Sequence, residues 1–541
     1  MPHFTTRSLI AQCIMPRISA EAYFDAERGE ETRKALHSLI QEEGIGGVCV
    51  FAGNALETAQ MLQELQTIAA RAQHPPLLVS SDFEHGVAMR LSGGTAFPHA
   101  MALGMADNPL MTEKVARAIA LEAKVLGVHW NFAPVADVNC NKLNPIINIR
   151  AFGETPDVVS RHASAYIRGT QAENIIATAK HFPGHGDTQA DSHLELPTLP
   201  FDAERLETVE LAPFRAAIAS GVRSIMVGHL AVPALQPSEQ HSAKPLPASL
   251  SSEIMTKLLR ETLGFTGLIV TDGLDMKAIT NDWSVEESAV SAFSAGTDVV
   301  LLPPDPRRAL DALEKAVEAG DVSLEKVIAS AQRILEAKQW CGLVNIEAEV
   351  GWRVNALETT QIQRIRSRPN EIPEINKQEH GLLALDAAKP ALRWFGEKSL
   401  VQPLDKFSNI AGFALVEERD VPAATNFFRY LAQLYRSDCD FAFVDASISE
   451  EDIAELLAGT NDAEVVIFAI FVRPQAEQGT IKVSERLEKI ALRLANGKPT
   501  LAVLFGNPYL RETFPADVFL CTFSPSEPSL GAAASELLRQ L

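Results

Sequence analysis

Eight short apolar runs punctuate the first part of this 541-residue chain, at residues 9–15, 46–51, 76–80, 128–132, 175–179, 224–227, 268–270 and 298–302. Amphipathic segments with helical spacing lie between them, at 112–126, 158–173, 203–219, 251–262 and 286–295. Repeated strand–helix alternation calls for parallel strands joined by right-handed crossovers. Eight such units before about Gln339 fit a (β/α)8 barrel better than an open sheet. The chain is too long for one ordinary domain. A polar, charge-rich stretch at 345–380 contains Arg364-Ile365-Arg366-Ser367-Arg368-Pro369-Asn370-Glu371-Ile372-Pro373, whose prolines and clustered charge suit a surface linker. Beyond it alternation resumes, with strands expected at 412–416, 441–444, 465–471, 501–505 and 518–522 and helices at 382–394, 423–434, 484–495 and 530–541. The expected organisation is a barrel over 1–344, a linker over 345–380 and a smaller three-layer α/β sandwich over 381–541.

Charge narrows the partners. A formal net charge of -21 disfavours nucleic acid and anionic membrane, both of which need basic patches. No run of eighteen apolar residues exists to span a bilayer, and the first twenty residues lack the apolar region and cleavage site of a secretory signal. The expected setting is the cytoplasm, and the expected partner is a small molecule. Six cysteines (Cys13, Cys49, Cys140, Cys341, Cys439, Cys521) are scattered without CxxC spacing, which reads as free thiols rather than a zinc ribbon or disulfide framework.

The chemistry is concentrated where strands end. The apolar run at 175–179 stops at Lys180-His181-Phe182-Pro183-Gly184-His185-Gly186-Asp187, followed by Asp191-Ser192-His193. A strand opening into a Gly-rich polar loop has the character of an active-site rim. Asp82, Glu84, Asp137, His229 and Asp272 also sit at strand ends, which converge on one face of a barrel. Asp191 and His193 are one residue apart, a spacing that lets a carboxylate fix the tautomer of an imidazole and raise its pKa. Lys180 and His181 supply rigid donors for substrate hydroxyls or developing negative charge. Asp82, Asp137 and Arg150 are candidates for binding hydroxyl-rich or acyl groups. Asp272, directly after a strand, is placed to attack an anomeric carbon. Asp275 is its rival, although its position also suits a helix cap. His185, Asp187, Asp191 and His193 form an alternative, metal-binding set, which the flexible glycines beside His185 argue against.

Residues 180–193 closely resemble the signature of family 3 glycoside hydrolases, in the β-N-acetylglucosaminidase branch. Supporting matches are residues 14–19, the run Asn131-Phe132-Ala133-Pro134-Val135-Ala136-Asp137-Val138, the run Ile149-Arg150-Ala151-Phe152-Gly153, and Val270-Thr271-Asp272-Gly273-Leu274-Asp275-Met276. The resemblance covers the whole first domain and weakens in the second. It implies a retaining, exo-acting β-N-acetylglucosaminidase needing no metal or organic cofactor. By the same resemblance Asp272 is the nucleophile and His193 the acid/base, with Asp191 orienting it. Asp82, Lys180, His181 and Arg150 hold the sugar. The family's Asp-Gln-Glu-Gly-Gly-Arg-Val is here Asp82-Phe83-Glu84-His85-Gly86-Val87-Ala88, so Val87 replaces an arginine and Arg90 aligns with a second one. The implied substrates are small glycans ending in N-acetylglucosamine, either cell-wall muropeptide fragments or chitooligosaccharides. A histidine acid/base leaves less negative charge near the glycosyl-enzyme than a second carboxylate. A glycoside phosphorylase that accepts phosphate is therefore the alternative reading.

Overall fold

The structure, a computed structural model, describes residues 4–188, 190–192, 194–236, 246–347, 351–353, 375–435, 439–474 and 481–539. His193 and most of the expected linker lie outside the described residues.

Among the described residues the first domain closes as eight parallel staves. The first is split by Pro16 into β1 (Ile14–Met15) and β2 (Arg17–Ile18), because proline has no N–H for the ladder. Then come β3 (Gly47–Val50), β4 (Leu78–Ser81), β5 (Trp130–Asn131), β6 (Ile176–Phe182), β7 (Ser224–Val227), β8 (Leu268–Thr271) and β9 (Val300–Leu301). Pairing runs β2-β3-β4-β5-β6-β7-β8, and β1 pairs with β9. A bridge between Val270 and Val299 ties β8 to the approach of β9 and closes the ring. Nearly every stave residue is buried, the pattern of parallel strands covered on both faces. The helices that cover them start at side-chain caps where the sequence supplies one: Asn108 caps α-helix Pro109–Leu126, and Ser284 with Glu287 forms a capping box on Val285–Ala295.

Two expected elements differ. The run at 9–15 is not one strand: Leu9, Ile10 and Ala11 belong to a helix, Thr6–Ala11, whose N-cap is the Thr5 side chain. Three consecutive buried apolar residues fit a short buried helix as well as a strand, so periodicity alone did not separate them. The helix expected at 382–394 runs instead over Gln378–Ala388 and stops before Pro390. Arg393–Phe395 is then an edge strand, antiparallel to Val518–Cys521.

In the second domain we label the strands β10 (Arg393–Phe395), β11 (Ile410–Leu415), β12 (Cys439–Val444), β13 (Val465–Val472), β14 (Thr500–Gly506) and β15 (Val518–Cys521). Their order is β10-β15-β14-β13-β11-β12, parallel except for β10. One face packs on Phe427, Phe428 and Leu431 from Val421–Leu434 and on Leu530, Ala533 and Leu537 from Glu527–Leu537. The other packs on Ile453, Ile490 and Leu494, in a cluster that also takes in Met101, Ala102 and Ile149 of the barrel. The sandwich is thus seated on the barrel through a shared apolar core. Polar contacts fix the join: Asn139 donates to the Tyr509 hydroxyl at 2.9 Å, and His99 Nδ1 lies 2.9 Å from Ser524 Oγ.

Candidate active site

The C-terminal ends of the staves open into a cavity of about 620 Å3. Its lining includes Asp82 and Glu84 after β4, Lys180 and His181 on β6, Arg150 from the turn after β5, and Asp272 directly after β8. Arg17 on β2, Asp275 and Pro474 of the second domain also line it.

The inner part is a chain of alternating charges. The Lys180 ammonium sits 2.7 Å from Asp82 Oδ1 and 2.7 Å from Glu84 Oε1. Arg90 donates to Asp82 Oδ2 at 2.9 Å. Arg150 grips Glu84 with two bonds, from Nε at 3.0 Å and Nη2 at 2.8 Å. Planar, bidentate pairing of this kind fixes orientation as well as charge. Burial pushes the Glu84 carboxyl up, but Arg150 and Lys180 outweigh it and hold the group well below the usual range. Burial opposes ionisation of Asp82 likewise, and Lys180 and Arg90 prevail. For Lys180 burial lowers the pKa, and Asp82 and Glu84 more than reverse this. All three groups are charged at neutral pH.

Asp137 departs from expectation. It does not line the cavity but is fully buried beneath it. One oxygen accepts from the His185 N–H at 2.7 Å, both receive the His181 N–H at 3.2 Å, and Oδ2 lies 2.7 Å from His181 Nδ1. A carboxylate there makes Nδ1 the protonated nitrogen, leaving Nε2 as an acceptor near Arg150 Nη2, 3.5 Å away. The residue shapes the site by aiming His181 and pinning the loop, because its oxygens are spent on donors that the turn leaves unpaired.

The base of the 183–195 loop is fixed at several points. Asn144 Nδ2 donates to the His185 carbonyl at 2.8 Å, and Asn141 Nδ2 to that of Thr188 at 3.0 Å. At Gly186 the backbone passes so close to Val138 that a Cβ would lie 1.8 Å from its carbonyl oxygen. Burial pushes the His185 imidazole down to about 4, so it is neutral. Thr188 Oγ1 donates to the His185 carbonyl, so it accepts from Nδ1–H at 2.7 Å. Nε2 then accepts from the Ser192 hydroxyl at 3.2 Å. His185 therefore ties the fixed base of the loop to the segment carrying Asp191, which is buried.

Asp272 has its backbone in the barrel, donating to the Val227 carbonyl at 2.9 Å, and its Oδ1 accepts from the Gly273 N–H at 2.8 Å. The Gly273 carbonyl accepts from His229 Nε2 at 2.9 Å, which gives that strand-end histidine a supporting task. Its rival Asp275 lies 2.6 Å from Arg17 Nη2.

Of the alternative metal set, His193 lies outside the described residues, and His185 and Asp187 are engaged elsewhere. Both ring nitrogens of His185 are engaged, and Asp187 pairs with Arg205 at 3.0 Å. Among the described residues, Cys140, Asp187 and Glu210 are the group with ligand atoms within 4.8 Å of one another. There the Arg205 guanidinium already bridges the two carboxylates. Glu84 is read from the sequence as a strand-end residue and as part of the match at 82–88, without a site role of its own. Arg17 lies inside the family match at 14–19 but is given no role there, and nothing local in the sequence pointed to Pro474.

Residues 5–337 match the glycosyl hydrolase family 3 N terminal domain. The chain belongs to glycosyl hydrolase family 3. It is 36% identical over 326 residues to a β-hexosaminidase A of Pseudoalteromonas piscicida, covering 56% of this chain and 54% of that protein. It is 38% identical over 269 residues to a β-hexosaminidase of Nitrosomonas eutropha, covering 48% and 74%. The chain thus spans about half the length of the Pseudoalteromonas relative. A solved family 3 β-N-acetylglucosaminidase from Paenibacillus sp. str. FPU-7 superposes with a TM-score of 0.82 at 29% identity, over 99% of this chain and 97% of that one. Against the family pattern, Val87 in place of arginine is buried, and Arg90 supplies a cation to Asp82.

Proposed function

We propose that this family 3 protein is a retaining, exo-acting β-N-acetylglucosaminidase. The observation that carries the reading is the Lys180 ammonium held between Asp82 and Glu84, with Arg150 and His181 beside it, in the cavity that Asp272 also lines. Rigid donors and acceptors in alternation suit the vicinal hydroxyls of a terminal sugar. The names of the relatives supply the acetamido sugar. In the first step the Asp272 carboxylate attacks the anomeric carbon, and the bond to the leaving oxygen breaks as His193 protonates that oxygen. Water then attacks the glycosyl-enzyme, returning a proton to His193 and freeing Asp272. Asp191 orients the imidazole. Small glycans ending in N-acetylglucosamine, from muropeptides or chitin, are the proposed substrates.

Release of p-nitrophenol from the β-N-acetylglucosaminide, with the β-glucoside in parallel, tests this. Turnover of the first alone is expected, and preference for the glucoside overturns the acetamido assignment. In phosphate buffer the expected product is free N-acetylglucosamine; N-acetylglucosamine 1-phosphate would make the enzyme a phosphorylase instead.

The link from His185 to Ser192 gives a further prediction. Ser192→Ala removes the donor to His185 Nε2 and is expected to lower kcat about tenfold, since small misplacements of reacting groups cost one to two orders of magnitude. Ser192→Thr keeps a hydroxyl and is expected to retain most activity. Equal losses in both variants count against the link.

A further inference from the structure

Outward from Lys180 the cavity wall changes from enclosed to open. Side-chain exposure is 3% for Lys180 and 8% for Glu84, 14% and 22% for Asp82 and Arg90, then 30% and 45% for Asp275 and Arg17. The Arg17–Asp275 pair therefore stands at the mouth, joining the first stave to the loop after β8 across 258 residues of sequence. Its guanidinium sits over an aromatic ring: Arg17 Cζ lies 3.9 Å from the centroid of Phe51. Arg90 Cζ lies 4.0 Å from the same centroid, so the Arg90 that binds Asp82 and the Arg17 at the mouth share one aromatic platform. A guanidinium has five donors, and among the described residues Arg17 donates to Asp275 from Nη2. Its other N–H groups belong to an exposed side chain that lines the cavity beside a carboxylate.

We propose that Arg17 and Asp275, on the Phe51 platform, form the subsite for the leaving-group sugar. This rests on the glycosidase reading above. The inner wall is occupied by charged groups engaged with one another, so a displaced group leaves through the mouth, past this pair. A planar donor and an adjacent acceptor, neither buried, recognise a ligand that presents both hydroxyl donors and acceptors. A second sugar ring does so, and a nitrophenyl ring does not.

The test compares kcat/KM for N,N′-diacetylchitobiose with that for the p-nitrophenyl β-N-acetylglucosaminide in wild type, Arg17→Ala and Asp275→Asn. The disaccharide-to-aryl ratio is expected to fall about tenfold in both variants, the scale of one lost charge-assisted hydrogen bond. Arg17→Lys keeps the charge without the planar fork and is expected to leave the ratio low. Equal losses on both substrates mean that the pair only props Phe51 and Arg90 and overturn the subsite, as does an unchanged ratio. Asp275→Asn keeps the side-chain shape and provides the measurement if Arg17→Ala fails to fold. A wild type inactive on both substrates refutes the glycosidase reading itself, whereas an active wild type with an unchanged ratio in the variants refutes the subsite alone.

Discussion

Asp272→Ala is expected to lower kcat for the aryl β-N-acetylglucosaminide by about 10⁴-fold or more, the scale seen when a covalent nucleophile is removed. The fold is expected to survive, because the residue is anchored through its backbone N–H to Val227 and its side chain faces the cavity. Far-UV circular dichroism and gel filtration check that. Added azide supplies a small anion for the vacated space and is expected to restore turnover, giving the α-glycosyl azide because it attacks from the face that Asp272 used. Asp275→Ala is expected to behave differently. Its carboxylate is committed to Arg17 at the mouth, so azide is expected neither to rescue that variant nor to yield an α-product. Rescue of Asp275→Ala in place of Asp272→Ala would exchange the roles of the two aspartates.

Choosing between these aspartates shows what the sequence can and cannot carry. Asp272 lies nearer the strand end, and what spacing could not reach is that both aspartates line the cavity while Asp275 pairs with an arginine 258 positions away. Asp137 is the complementary case. Its strand-end position matched that of a ligand-binding residue, yet it is turned under the loop, where the His181 and His185 N–H groups need an acceptor. Periodicity and breakers located the staves well, since parallel strands buried on both faces leave continuous apolar runs. They failed at Leu9–Ala11, where burial without amphipathic contrast looks alike in helix and strand. Contacts such as Tyr509 with Asn139, or Ser524 with His99, were invisible because nothing local encodes a partner hundreds of residues distant. The family signature at 180–193 was legible because it is carried by consecutive residues. The carboxylate pair on Lys180 was only half legible, because Glu84 gains its meaning from Arg150 and Lys180 on other staves.

Glu84→Gln is expected to be among the most damaging substitutions to stability as well as to activity. The wild-type carboxylate is held by the forked Arg150 and by Lys180, all three being largely removed from solvent. Glutamine keeps the shape, but it removes the charge and turns an amide N–H2 toward cations that already donate. Lys180 is then left with Asp82, which Arg90 also binds, and Arg150 keeps only the Ile146 carbonyl and the ring nitrogen of His181. Breaking a buried pair from one side costs about 3–5 kcal/mol, and that loss is expected in denaturant unfolding at pH 7. The pH dependence separates this cause from simple mispacking. The folded-state pKa of Glu84 lies below its unfolded value of about 4.3, so its contribution is complete above that value and is lost as pH falls through the folded one. The gap between wild type and Glu84→Gln is therefore expected to be widest near neutrality and to close on acidification below about pH 4. A gap of the same size at pH 7 and pH 3 would mean that the side chain acts through its shape alone. kcat/KM is expected to fall about 10²–10³-fold at pH 7, because Lys180 and Arg150 lose the anchor that fixes their donors.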